Sequence, residues 1–236
     1  MTHATFFRLL EAEDKSAALL DAIHQPQAAA GRLRFEVDPD SFASVPRSPF
    51  AYWVSDKLRS LFAELSPFES DERAVKQGLA TADDFRFVRT WWDIDSRMCG
   101  SCWLPFAKGG AFSRFYADVP AVVNWEGGGA EVCSFTLPGA ARIASRPQNR
   151  DYYFRPGLTW PLRGIRFSTQ AVPSGCIFSI VGKMAFTPEQ APADWLSLFN
   201  SDAFDDLIGF FAGKVGGVQY EVGLIQSVPV PQLLPE

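Results

Sequence analysis

Histidine is nearly missing from this sequence, cysteine is sparse, and no apolar run is long. His3 and His24 are the only two histidines in 236 residues, so a Ser-His or Cys-His couple would have to draw on the N-terminal segment, which disfavours hydrolytic catalysis. The four cysteines, Cys99, Cys102, Cys133 and Cys176, are too few and too irregularly spaced for a disulfide framework. Cys99-Gly-Ser-Cys102 has the spacing of half a zinc site, but no second close pair accompanies it, and no metal site is expected. The longest apolar stretches, such as residues 177–181, fall well short of the ~20 residues of a membrane-spanning helix. His3, Arg8 and three acids stand where a signal peptide would be apolar. The expectation is a soluble, cytosolic protein with no membrane partner. Signatures of nucleotide and metal chemistry are also missing: there is no GxxxxGK[ST] loop, no GxGxxG after a strand and no HExxH.

What is present is globular composition, with 47% hydrophobic and 21% charged residues, enough for a core without covalent staples. Charge becomes informative once the chain is divided. Residues 1–95 carry 11 basic and 16 acidic side chains, residues 96–183 carry 10 and 4, and residues 184–236 carry 1 and 7. A net charge of -5 therefore hides a basic middle between acidic ends, as expected of a local polyanion-binding face. Its densest part, residues 142–166, holds six arginines, Arg142, Arg146, Arg150, Arg155, Arg163 and Arg166, and one acid, Asp151. Arginine throughout favours bidentate contact with phosphate or guanine; the plainer alternative is a solvated rim with local ion pairs.

Hydrophobic periodicity predicts an α+β fold, with N-terminal helices, then a mixed or antiparallel sheet, then a covering C-terminal helix. Phe6, Phe7, Leu10, Ala17, Leu20 and Ile23 recur at helical steps that end near Gly31. Residues 33–37 alternate as a strand, 38–40 form a turn, and 49–65 form a second helix starting at Pro49. After residue 78 the strand candidates are 85–92, 121–125, 131–136, 164–171 and 176–181. Alternation in 164–171 sends Arg166, Ser168 and Gln170 outward and Ile165, Phe167 and Thr169 inward. Asp194 is expected to cap a single late helix over 195–212, followed by a last strand over 218–228. The domain division expected is a helical lead-in, 1–77, and an α+β unit, 78–236.

No catalytic constellation emerges. The acid pairs Asp83-Asp84 and Asp205-Asp206 read as turn and surface residues. Gly109-Gly110 and Gly127-Gly128-Gly129 read as turns, since neither opens a predicted helix. Most of the seven Trp and 21 Phe must be core, although Tyr152, Tyr153 and Phe154 lie between Arg150 and Arg155, a mixture suited to stacking on nucleic acid.

Several segments in one order carry a resemblance: 49–56 (PFAYWVSD), 77–92 (QGLATADDFRFVRTWW), 103–116 (WLPFAKGGAFSRFY), 122–128 (VVNWEGG), 145–162 (SRPQNRDYYFRPGLTWPL) and the GGVQYEVGLIQSVPVP ending. Over roughly residues 42–236 the chain resembles the C-terminal target recognition region of the adenine-specific DNA methyltransferases of BREX and phage-growth-limitation systems, and of related type IIG restriction-modification enzymes. The resemblance implies a division of labour. A separate catalytic domain or subunit binds S-adenosylmethionine and flips the adenine, and the recognition region reads double-stranded DNA. This chain holds no Asn-Pro-Pro run, so the resemblance implies no catalytic residue and no cofactor of its own. Residues 78–87 match a GLxTxDNxRF block with Asp84 in place of the usual Asn, which argues against a direct base contact there. Lys108, Gly109, Gly110 and Arg114 match a KGG block, and Arg146, Asn149, Arg150 and Tyr153 an SRPxNxDYY block. The DNA-contacting set expected is Lys108, Arg114, Arg142, Arg146, Asn149, Arg150, Arg155, Arg163 and Arg166. Of these, Lys108, Arg114, Arg146, Arg155 and Arg163 are assigned to phosphate, and Arg150, Asn149 or Arg166 to a base edge. The alternative of another class is a protein-interaction module or truncated paralogue, docking through its acidic C-terminal block and exposed apolar residues on other defence components.

Overall fold

The structure, a computed structural model, describes residues 3–188, 192–212 and 217–232. Chain order begins with β1 (Ala4–Phe7), α1 (Lys15–His24), α2 (Pro26–Ala29) and β2 (Arg34–Val37). Phe6 and Phe7 therefore lie on a strand rather than on the expected helix. β1 pairs antiparallel with β2, Phe6 opposite Phe35, and the Phe6 ring stacks on Tyr52 at 4.8 Å. An aromatic partner distant in sequence thus outweighs the local helical spacing. The helix proper starts at Asp14, whose carboxylate accepts from Ala17 N at 2.9 Å.

Next come a 3-10 turn at Pro39–Ser44, α3 (Asp56–Glu64), β3 (Ser66–Pro67) and β4 (Ala74–Lys76). α3 begins at Asp56, not at Pro49, because Ser55 supplies the cap, accepting from Leu58 N at 3.3 Å. The middle runs β5 (Leu79–Ala80), α4 (Asp84–Phe87), β6 (Val88–Thr90), β7 (Trp103–Ala107), β8 (Ala121–Asn124), α5 (Glu126–Ser134), β9 (Arg146–Pro147), β10 (Gly157–Thr159), β11 (Arg163–Gly164), β12 (Gln170–Val172), β13 (Ile177–Phe178) and β14 (Met184–Phe186). The chain closes with α6 (Pro192–Phe199), α7 (Asp202–Phe211), β15 (Val218–Gln219), α8 (Val222–Gln226) and β16 (Pro229–Val230).

Among the described residues there are two four-stranded sheets, β12-β10-β14-β4 and β13-β7-β8-β6, and four two-stranded pairs. The fold is α+β, and its pairing is antiparallel except for β13 on β7. Several expected elements are corrected. Residues 85–92 begin as α4, capped by Asp83 (from Arg86 N, 3.0 Å), before extending as β6. Residues 131–136 fall largely in α5. The late helix is broken at Asn200-Ser201, where Ser201 caps α7; Asp194 lies in the first turn of α6. Residues 218–228 split into β15 and α8.

Two buried clusters hold these layers. One gathers Phe68, Trp160, Phe167, Trp195, Phe199 and Ile208, with side chains from both sides of position 77. The other gathers Leu79, Phe87, Phe106, Val123, Ile177 and Phe178 beneath the β13-β7-β8-β6 sheet. Burying a side chain of this size contributes roughly 1.5–3 kcal/mol each.

Candidate nucleic-acid interface

The second cluster sets up the site, because it brings three distant backbones side by side. Gly78 N donates to Ser179 O at 3.2 Å, Ile180 N to Leu79 O at 3.2 Å, and Ser179 N to Ala107 O at 3.0 Å. Gly78 has no substitute here: a Cβ would lie 1.9 Å from the Phe178 carbonyl oxygen. On the other edge β9 pairs with β5, Ala80 opposite Arg146. The ends of β5, β7 and β9 therefore meet, and they enclose a cleft of about 450 Å³ lined by Thr81, Asp84, Lys108 and Arg146, with Ser179 and Ile180 beneath. The GLxTxDNxRF, KGG and SRPxNxDYY segments each contribute to it.

Within the cleft Thr81, nearly fully buried, donates through Oγ1 to Asp84 Oδ1 at 2.5 Å, while Lys108 Nζ donates to Asp84 Oδ2. Burial alone would raise the Asp84 carboxyl, but the hydrogen bonds from Lys108 and Thr81 and the lysine charge together hold it below the usual carboxylate range. Lys108 also lies 5.6 Å from the Phe106 ring centroid. Arg146 is exposed and, among the described residues, has no side-chain hydrogen bond or ion pair.

The remaining expected residues occupy other settings. Arg114 Nη2 donates to Asp202 Oδ1 at 3.0 Å, and Arg166 reaches the same Asp202 oxygen and, at 3.1 Å, Asp205 Oδ2. Arg166 points outward as expected, but not through strand alternation: Ile165 is 76% exposed, and Ser168, Thr169 and Gln170 are all buried. Side chains replace a partner strand there. Phe167 N donates to Asp205 Oδ1 at 2.6 Å and Thr169 N to Asn200 Oδ1 at 3.0 Å. Arg163 Nε donates to Gln219 Oε1 at 3.0 Å. Arg150 donates to Gly128 O at 3.1 Å and lies over the Trp125 ring at 5.4 Å. Arg155 lies over Tyr152 at 5.1 Å and Phe186 at 5.9 Å. Asn149, at φ +52°, donates to Gln77 O at 2.8 Å, which commits its amide to the fold. Arg142 is exposed beside the Thr136–Ile143 bridge. The structure thus joins Lys108 with Arg146 on one cleft and Arg114 with Arg166 on one acid, while Arg150, Arg155 and Arg163 each contact different neighbours.

Sequence reasoning set aside two residues that matter here. Asp84 is the acid of the cleft, and Asp205, read as surface, has a side chain only 12% exposed that holds both Arg166 and a backbone N–H. Gly127, Gly128 and Gly129, all at positive φ, form a left-handed turn, as expected, and the right-handed part of α5 follows it. They do not fit a cofactor cradle, since a Cβ on Gly129 would lie 2.6 Å from the Trp125 ring and the Gly128 carbonyl is engaged by Arg150. Among the described residues no three His, Cys, Asp or Glu side chains group as metal ligands, and no helix is long and apolar enough to cross a membrane. Gly216, which starts the last resembling segment, lies outside the described residues.

No family model matches the chain. Adenine-specific methyltransferase PglX of Lacticaseibacillus casei (strain Zhang) is 24% identical to it over 242 residues, covering 96% of this chain and 20% of that protein. Adenine-specific methyltransferase BrxX of Escherichia coli O9:H4 (strain HS) is 28% identical over 169 residues, covering 68% of this chain and 13% of that protein. The chain spans a fifth or less of the length of these curated relatives. Its similarity is therefore to one part of adenine-specific methyltransferases.

Proposed function

We propose that this chain is the double-stranded DNA recognition module, centred on residues 78–236, of an adenine-specific (N6) DNA methyltransferase in a restriction-modification or phage-defence system. Methyl transfer falls to a catalytic domain or subunit outside this chain, which binds S-adenosylmethionine and is this module's protein partner. The observation that carries the reading is the state of the basic middle: Arg142, Arg146, Arg150, Arg155 and Arg163 form no salt bridge among the described residues, and only Arg163 of them acts on a carboxylate, that of Glu221. Arginines outside any salt bridge, on a protein of net charge -5, are matched to a polyanion. Arg142, Arg146, Arg155 and Arg163 suit phosphate, and Arg150 suits a base edge. Lys108 contacts DNA from its ion pair, Arg114 and Arg166 by exchanging Asp202 for phosphate, and Asn149 supports the turn that carries Arg150.

The test is duplex binding by fluorescence anisotropy over a salt series, with the full chain alone and with its catalytic partner. Four phosphate contacts give a slope of log K against log salt of roughly -3 to -4; affinity that ignores salt, or no affinity in either form, overturns the proposal. A second reading, a protein-interaction module docking on defence-system components, is favoured by the exposed rings of Phe85, Trp91, Trp92 and Phe112. Co-purification with a methyltransferase subunit without DNA affinity in the assembled complex selects it.

A further inference from the structure

We infer that Asp84 and Lys108 act as one unit that reads a single G·C base pair in the major groove, with Thr81 positioning the carboxylate. The inference rests on the duplex-recognition reading. An unpaired carboxylate would repel the phosphates, which is why Asp84 looks out of place in the sequence. Paired with Lys108 it adds no net charge, and its side chain remains 57% exposed while that of Lys108 is 31% exposed. Phosphate contact is better served by the exposed, unpartnered Arg146 on the same cleft.

The hydrogen-bond inventory selects the base pair. An ammonium has three N–H groups; one is spent on Asp84, leaving two for neighbouring acceptors. The Asp84 carboxylate accepts one bond on each oxygen, from Thr81 and from Lys108, and keeps further lone pairs for a donor. Guanine offers two adjacent acceptors, N7 and O6, and the paired cytosine offers the N4 donor beside them. An A·T edge instead places the N6 donor between N7 and O4 acceptors, with a methyl group beyond, so two free lysine donors side by side are not matched. Rigidity supports readout as well. Thr81 is buried, and Gly109, next to Lys108, sits at φ +77° where a Cβ would lie 2.5 Å from Trp160 O. Both arms of the pair are therefore anchored to packed backbone.

The experiment selects bound duplexes from a randomised library with the full chain, together with its catalytic partner where that raises affinity, and repeats the selection with Asp84→Asn and Lys108→Gln. The expected result is a motif containing one G·C position whose preference falls roughly 5- to 150-fold in both variants, with other positions kept and the Asp84→Asn salt slope unchanged to within about one phosphate. Urea midpoints confirm folding; if Asp84→Asn fails to fold, Lys108→Gln must lose the same position alone. Salt-dependent duplex binding with an unaltered motif in folded variants overturns the inference and leaves the recognition reading standing. So does an effect confined to an A·T position. Absence of duplex binding by the wild-type protein, with and without the partner, overturns both.

Discussion

Replacing Gly78 by alanine tests the assembly of the cleft itself. A Cβ at this position lies 1.9 Å from Phe178 O, 2.6 Å from its carbonyl carbon and 2.8 Å from its ring. Two of the three contacts are with backbone, so no side-chain rotation relieves them. Opening the closest contact to 3.0 Å requires a retreat of about 1.1 Å, the difference between the two distances. The bonds from Gly78 N to Ser179 O and from Ile180 N to Leu79 O, both 3.2 Å, do not survive such a movement. Two lost hydrogen bonds at roughly 1 kcal/mol each, with an overpacking cost of roughly 1–3 kcal/mol, give about 3–5 kcal/mol, or a fall in Tm of roughly 6–20 °C. The control is Gly217→Ala, where the nearest atom lies 3.8 Å away and the change should stay within about 1 kcal/mol. Urea and thermal unfolding of the two variants against wild type read the difference. Equal midpoints for all three proteins would refute the reasoning that β5 is seated by direct backbone contact on β13.

Phe68→Ala, which empties a fully buried site against Trp195 and Phe199, should cost roughly 3–5 kcal/mol in urea unfolding. The Asp202 carboxyl is held below its usual range by Arg114 and then Arg166. Its contribution is therefore present above the unfolded carboxylate range near pH ~4 and is lost as pH falls through the lower folded value. Asp202→Asn should thus destabilise at pH 7 and become neutral near pH 2, as read by unfolding at both values. Burial pushes the Cys176 thiol up, so alkylation at pH 8 followed by mass spectrometry should label exposed Cys99 well before Cys176. Arg146→Ala and Arg155→Ala should each reduce the salt slope of duplex binding by about one, and an unchanged slope in both would remove them from the phosphate set.

The fold class was legible because apolar periodicity in residues 121–125 and 15–24 agrees with the elements those residues form, β8 and α1. Misreadings fall where a distant group replaces a local one. Phe6 follows Tyr52 rather than its own helical spacing, and the Phe167 and Thr169 N–H groups are satisfied by the side chains of Asp205 and Asn200 instead of by a strand. Ser201 breaks what reads as one continuous amphipathic helix, because its hydroxyl accepts from Phe204 N at 3.2 Å. In the site, spacing in sequence says that Lys108 and Arg146 are basic, but only the register of β5 against β9 and of β13 against β7 brings them to one cleft. No local pattern encodes the pairing of Asp84 with a lysine 24 residues away.

The acidic flanks pose the strongest objection to DNA binding, and the ion pairs answer part of it. Five of the ten basic residues in 96–183 have carboxylate partners: Arg97 with Asp95, Lys108 with Asp84, Arg114 with Asp202, Arg166 with Asp202 and Asp205, and Lys183 with Glu221. Every one of these acids belongs to a flanking block and none to the basic middle itself. The charge segregation seen along the chain is thus partly undone in the fold, where flanking acids lie against the middle instead of standing apart as repelling surfaces. What survives is a set of five arginines outside any salt bridge, and the four of them assigned to phosphate set the salt slope. The same arithmetic orders the remaining contacts. Arg114 and Arg166 reach DNA only by exchanging Asp202 for phosphate, so removing that acid lowers stability while raising duplex affinity. A merely structural ion pair does not produce those two effects with opposite signs.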